Sequence, residues 1–244
     1  MEFSRREQFQ AVLVGMAVAD AAAHGKIAAL CRNAPTLPAV SPWAPALIQV
    51  ARQLSSGANR VAVDAAVQDA AVQNDSELMQ ALIQVPILLR HVDDPVEPCF
   101  EIAAQLGLPN HNRVLTAQLH QLLQILLRHP QDQSLSMGLR TLEVWSAALP
   151  PQAALTRALR SVVQTAGDFR LAITTTVSLN SMLPLVLVGM ICTALRGFAT
   201  IPTTWRQALL PVQGSSWYAD RWGLTDEMAL RRIATNLWQV WAGL

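Results

Sequence analysis

Asp168 and Arg170 stand two positions apart at the entrance to a long stretch that carries no other charge until Arg196. A carboxylate in such a place can cap a helix or act as a general base, and a guanidinium can grip a phosphate or the carboxylate itself. Asp20, inside an apolar run near the start of the chain, is the second candidate acid. Its plainer reading is a buried structural carboxylate bonded to backbone or hydroxyl groups.

Other residues invite chemistry and carry less of it. Asp93-Asp94-Pro95 reads as a turn with an aspartate near a helix start. His24, His91, His111, His120 and His129 lack the spacing of a zinc helix, since His111 and His120 are nine positions apart rather than four. Ser178, Ser181 and the run Thr174-Thr175-Thr176 have no glycine-x-serine-x-glycine turn around them. Their hydroxyls are expected to bond back onto the preceding helical turn. Cys31, Cys99 and Cys192 are odd in number and far apart, the pattern of reduced, buried thiols in a cytosol.

Alanine, leucine and glutamine dominate and β-branched alternation is hardly sustained, so the chain reads as all-helical. Ser4 with Glu7 has the form of a capping box opening a helix toward Leu30. A proline-rich link, 33–45, leads to a short helix ending near Ser55-Ser56-Gly57. Further helices are expected over 60–73, 76–91, 98–106, 112–129, 134–149, 152–164 and 202–210, with a last one opened by Thr225 and Asp226. The central stretch, 165–205, reads as a long buried helix that Gly167 and Asp168 open, Pro184 kinks or interrupts, and Gly197 closes in the left-handed conformation. A membrane span is the rival reading for this stretch. Its first half is filled with threonine, serine and asparagine, and Met182–Cys192 spans only about 16 Å of a hydrocarbon core roughly twice as thick.

The 244 residues suffice for one full-sized core, and a single domain over 1–244 is expected. Hydrophobic residues make up 52% and charged ones 14%, with 18 basic and 17 acidic residues giving a net charge of +1. That balance argues against nucleic acid and against an anionic membrane as partners, and the polar N-terminal residues give no signal-peptide pattern, so a cytoplasmic location is expected. Trp217, Tyr218, Trp222, Trp238 and Trp241 gather near the end of the sequence. Leu230, Ile233, Leu237, Trp238 and Trp241 share one helical face, which fits docking on the protein's own core or, alternatively, a protein-partner or homodimer surface.

Two blocks resemble the ADP-ribosylglycohydrolase family. Phe9–Ala21, with Gly15-Met16-Ala17-Val18-Ala19-Asp20-Ala21 at its end, is similar to the family's opening helix. Ala166-Gly167-Asp168, the uncharged stretch and Gly197-Phe198-Ala199-Thr200-Ile201-Pro202-Thr203-Thr204-Trp205 are similar to its late metal motif, core helix and Ile-Pro-x-x-Trp turn. The resemblance implies an orthogonal, all-helical bundle and a two-metal centre, usually magnesium, that orients ADP-ribose for cleavage from a protein side chain. It also implies ligands that this chain lacks. Where the family's late motif is Asp-x-Asp-Thr, Arg170 and Leu171 follow Asp168, and no Asp or Glu occurs between Ala21 and Val63 to supply the early motif.

A centre stripped of carboxylates and given a guanidinium is expected to hold no metal, with Arg170 satisfying Asp168. Three functions follow as expectations. The first is a catalytically inactive binding or regulatory protein that accepts an ADP-ribose-like nucleotide, with Arg170 as a phosphate contact and no cofactor. The second is a hydrolase of altered mechanism with Asp168 or Asp20 as base. The third is a structural or assembly protein that uses its apolar surface, as a monomer or a homodimer.

Overall fold

The computed structural model describes residues 4–25, 27, 43–56, 77–108, 113–128, 135–150, 153–177, 182–210 and 216–244. Among the described residues the secondary structure is wholly helical, with 13 α-helices and no strand. By compactness they fall into two units, one built from 1–39 and 129–217 and the other from 40–128 and 218–244. The expected helix over 60–73 lies outside the described residues.

In the first unit, α1 (Arg5–Ala23) opens on the expected capping box. The Glu7 N–H donates to Ser4 Oγ at 3.2 Å and the Ser4 N–H to Glu7 Oε2 at 2.8 Å. The helix stops earlier than the apolar pattern suggested, at Ala23, because His24 leaves helical geometry and Gly25 follows with φ 69°. From Phe9 to Ala23 nearly every side chain is buried, the mark of a helix surrounded by others. The unit continues with α7 (Leu135–Ala147), α8 (Ala154–Gln164), α9 (Phe169–Val177), α10 (Met182–Arg196), a 3-10 turn (Phe198–Thr200) and α11 (Thr203–Gln207), taken in chain order after the five helices of the other unit described next. The described residues of the central stretch thus form two long helices rather than the single one expected. Of the two effects expected of Pro184 the structure shows the interruption rather than a kink: it sits in the first turn of α10, where its missing N–H would have had no intrahelical partner. Gly197 closes α10 with φ 72° and ψ −173°, a region open only to glycine but not the expected left-handed one.

α1 and α10 meet almost backbone to backbone. A methyl group placed on Gly15 would lie 2.6 Å from the Gly189 carbonyl oxygen and against Thr193. One placed on Gly189 would strike the Gly15 carbonyl and come 2.5 Å from Ala19 Cβ. Stepping from Gly15 to Ala19 moves from Thr193 back to Gly189, so the helices run in opposite senses. The Thr193 hydroxyl donates to the Gly189 carbonyl at 2.7 Å, which removes a polar group from an otherwise dry contact.

In the second unit, α2 (Trp43–Ser55), α3 (Glu77–Ile83), α4 (Val85–Arg90), α5 (Glu97–Gln105) and α6 (Arg113–Arg128) are joined by the later α12 (Trp217–Trp222, which starts on the last residue of the first unit) and α13 (Glu227–Trp241). The single helix expected over 76–91 breaks at Gln84, because Pro86 has no N–H to continue the ladder. Asp226 caps α13 by accepting the Ala229 N–H at 2.8 Å. That helix buries Leu230, Ile233, Ala234 and Leu237 and packs against α2 and α4. Trp43 meets Trp222 edge to face, ring centres 5.4 Å apart, and both are fully buried.

Gly189→Ala forces a methyl into the carbonyl oxygen of Gly15 and is expected to lower the unfolding free energy by on the order of 1–3 kcal/mol, read from urea denaturation. The same substitution at Gly223, where nothing lies within 4 Å but φ is +62°, serves as a control for backbone strain without overpacking.

Candidate functional site

The turn between α8 and α9 positions the first candidate acid. α8 ends in a paired hydrogen-bond closure, with the Gly167 N–H donating to the Val162 carbonyl at 2.8 Å and the Ala166 N–H to Val163 at 3.1 Å. This closure needs a left-handed residue at its first position beyond the cap, and here that residue is Ala166, with φ 51°, followed by Gly167 with φ 73°. Ala166 is the one described non-glycine residue with positive φ. The chain then reverses into α9, and Asp168 opens it as the sequence suggested: its Oδ1 accepts the Leu171 N–H at 2.8 Å.

This geometry corrects the expected partnership. The Asp168 carboxylate is engaged by a backbone N–H, while Arg170 is exposed and, among the described residues, makes no ion pair with it. Two positions along a helix point about 200° apart, so an aspartate bonded back to the helix start and an arginine of the first turn do not meet. Around this turn, Gly167 lies 3.6 Å from the Arg196 side chain, and Phe169 packs edge-on against the buried Trp205, ring centres 5.9 Å apart. Arg206 stands over the Phe198 ring at 4.1 Å. The Ile-Pro-x-x-Trp segment therefore forms a wall beside the first turn of α9.

Asp20 belongs to a different corner. It is fully buried on α1, and its Oδ1 lies 3.9 Å from Nε2 of His24, one turn on. The imidazole meets Trp217 edge-on at 5.5 Å. Asp20 directly follows Ala19, which lies at the level of Gly189, whereas the charge of Asp168 acts on Cys192 and its neighbour Gly167 touches Arg196. The two acids therefore meet α10 at different levels. Among the described residues no three of His, Cys, Asp and Glu form a group able to hold a metal ion. The magnesium centre implied by the resemblance does not fit these residues, because one carboxylate is engaged as a helix cap and the other is sealed beside a histidine.

The remaining candidates take structural roles. Asp93 accepts the Trp241 indole N–H at 3.1 Å, and Asp94 pairs with His91 at 2.8 Å. His120, nearly fully buried, lies 2.9 Å from the His91 carbonyl. His111, His129, Cys31, Ser178 and Ser181 lie outside the described residues. Thr174, Thr175 and Thr176 donate to carbonyls one turn earlier, at 2.9, 2.7 and 2.7 Å. Thr176 also donates to Ser161 Oγ at 2.8 Å, and Ser161 to the Ala172 carbonyl at 3.1 Å, so a hydroxyl cluster pins α9 to α8. That cluster was not anticipated, although serine and threonine at helical spacing on both segments were its visible trace. In the aromatic-rich region Tyr218 and Trp222 are buried, and Trp217, Trp238 and Trp241 are half-buried.

Both described cysteines are buried. Burial and the nearby Asp168 charge push the Cys192 thiol far up, only partly offset by Arg196. Burial, then Asp94 and Glu97, raise Cys99 from 9.0 to about 12 against the lowering effect of its own backbone hydrogen bond. No helix among the described residues is long and apolar enough to cross a membrane. Compared with protein families, curated proteins and solved structures, the chain matches none.

Two outcomes check this geometry. Ala166→Gly relieves the left-handed strain at an exposed position and is expected to raise stability by on the order of 0.5 kcal/mol in chemical denaturation, whereas a loss contradicts the helix closure. The raised Cys99 value makes the unfolded thiol ionise first, so its contribution is intact below pH 9.0 and is lost as pH rises toward about 12. Stability should fall there by up to roughly 1.4 kcal/mol per pH unit, and the gap between wild type and Cys99→Ala should narrow over the same range.

Proposed function

We propose that this chain is a non-catalytic binding protein on a scaffold of the ADP-ribosylglycohydrolase type, and that Arg170 contacts a phosphate of an ADP-ribose-like nucleotide. The likeness of Phe9–Ala21 and Gly197–Trp205 to that family supports the scaffold, as does the all-helical architecture of the described residues. The observation that carries the reading is the division of labour at the start of α9: Asp168 is engaged by the Leu171 N–H, and Arg170 projects from the same turn.

An exposed guanidinium in the first turn of a helix combines a planar fork of donors with the positive end of the helix dipole. Both favour a phosphate and neither favours a dication. The hydrolase reading ranks lower, because a lone carboxylate already bonded as a cap is poorly placed to activate water as well.

Thermal unfolding with ADP-ribose, AMP and NAD tests the proposal. A bound nucleotide at a hundredfold excess over its dissociation constant is expected to raise the midpoint by about 5–10 °C. The rise should vanish in Arg170→Ala and be indifferent to magnesium. No shift with any of the three, or a shift that survives Arg170→Ala, overturns it, and release of ADP-ribose from a modified protein would restore the hydrolase reading.

A further inference from the structure

α7 carries an apolar sequence, LSMGLRTLEVWSA, yet among its described side chains it buries only Leu142 and Ser146. Its outward arc consists of Ser136, Met137, Arg140, Glu143, Val144 and Ala147, all exposed, with Met137 at 53% and Val144 at 74%. At 100° per residue these six positions fall within about 120° of one another, opposite the side that carries Leu142 and Ser146. Gly138, away from this arc, is tight against Leu195 at 3.3 Å to a notional methyl, so the helix is held firmly from behind. Arg140 and Glu143 sit at i and i+3 but form no ion pair with each other or with other described residues.

We infer that this face of α7 binds a second copy of the same chain, helix against helix in antiparallel sense. The charge pattern selects that occupant. With the two-fold axis midway between Arg140 and Glu143, Arg140 of one copy falls opposite Glu143 of the other, and the reverse pair forms by symmetry. The same alignment sets Ser136 opposite Ala147, small against small at both ends, where close approach of the helices needs little side-chain volume. Val144 and Met137, which share one edge of the arc, then fall beside Met137 and Val144 of the other copy. The inference is independent of the nucleotide reading above.

One helix pair covers less than the roughly 1,600 Å² of a standard interface, so the dimer should dissociate on dilution. Sedimentation velocity over a concentration series up to about 0.5 mM is the measurement. Wild type is expected to move from monomer to dimer across the series. Arg140→Glu alone and Glu143→Arg alone each set like charges opposite one another and should raise the dissociation constant at least about tenfold. The double exchange, Arg140→Glu with Glu143→Arg, should restore dimerisation, which a merely misfolded variant cannot do. Val144→Gln, which leaves the charges in place, should also weaken the dimer. Circular dichroism checks that each variant keeps the wild-type helix content. A wild type that stays monomeric to the top of the series, a dimer indifferent to both single exchanges, or a double exchange that stays monomeric while folded each overturns the inference.

Discussion

The near-contact of two backbones at Gly15 and Gly189 governs the first unit. Helices separated by ordinary side chains can slide by a fraction of a turn and repack, but helices whose carbonyls approach each other's α-carbons cannot. The contact sets α1 and α10 in one alignment, with Ala19 at Gly189 and Thr193 beside Gly15. Thr193 removes the polar cost of that approach by bonding back to the carbonyl that the opposite helix presses upon.

From this pillar the rest of the first unit takes its bearings. α8 and α9 pack on α10, and the hydroxyl cluster of Ser161 and Thr176 locks them to each other. The turn between them is short, strained at Ala166 and backed by Arg196, so Asp168 has little freedom to do anything but cap. Trp205 against Phe169 closes the other side. An arginine in the next position but one is left outside this packed corner and is exposed.

Much of this was legible beforehand, and the reasons are local. Ser4 with Glu7, and Asp168 and Asp226 ahead of helical runs, announce helix starts because capping depends on residues three apart. The apolar stripe of Leu230, Ile233 and Leu237 is visible from spacing, which left its own core and a partner surface both open, and the structure docks it on α2 and α4. What could not be seen depends on which segments meet. The Gly15 and Gly189 contact joins residues far apart in the chain, and neither glycine announces its partner. Trp217 beside His24 is of the same kind, although the i and i+4 spacing of Asp20 and His24 was plain. Arg170 was assigned to Asp168 from proximity in sequence, and helical geometry sent it elsewhere. Pro184 left a kink and an interruption both open, because a proline in a first turn and a proline in a helix interior look alike until the start of the helix is known.

Both units are threaded from two separated pieces of chain, 1–39 with 129–217 and 40–128 with 218–244. During synthesis, Trp43 and its apolar neighbours leave the ribosome long before Trp222 exists to cover them, and α1 waits in the same way for α10. Neither core can close while half the polypeptide is missing. Such an interleaved chain must hold apolar helices uncovered for much of its translation, because each core closes only through contacts between residues far apart in sequence.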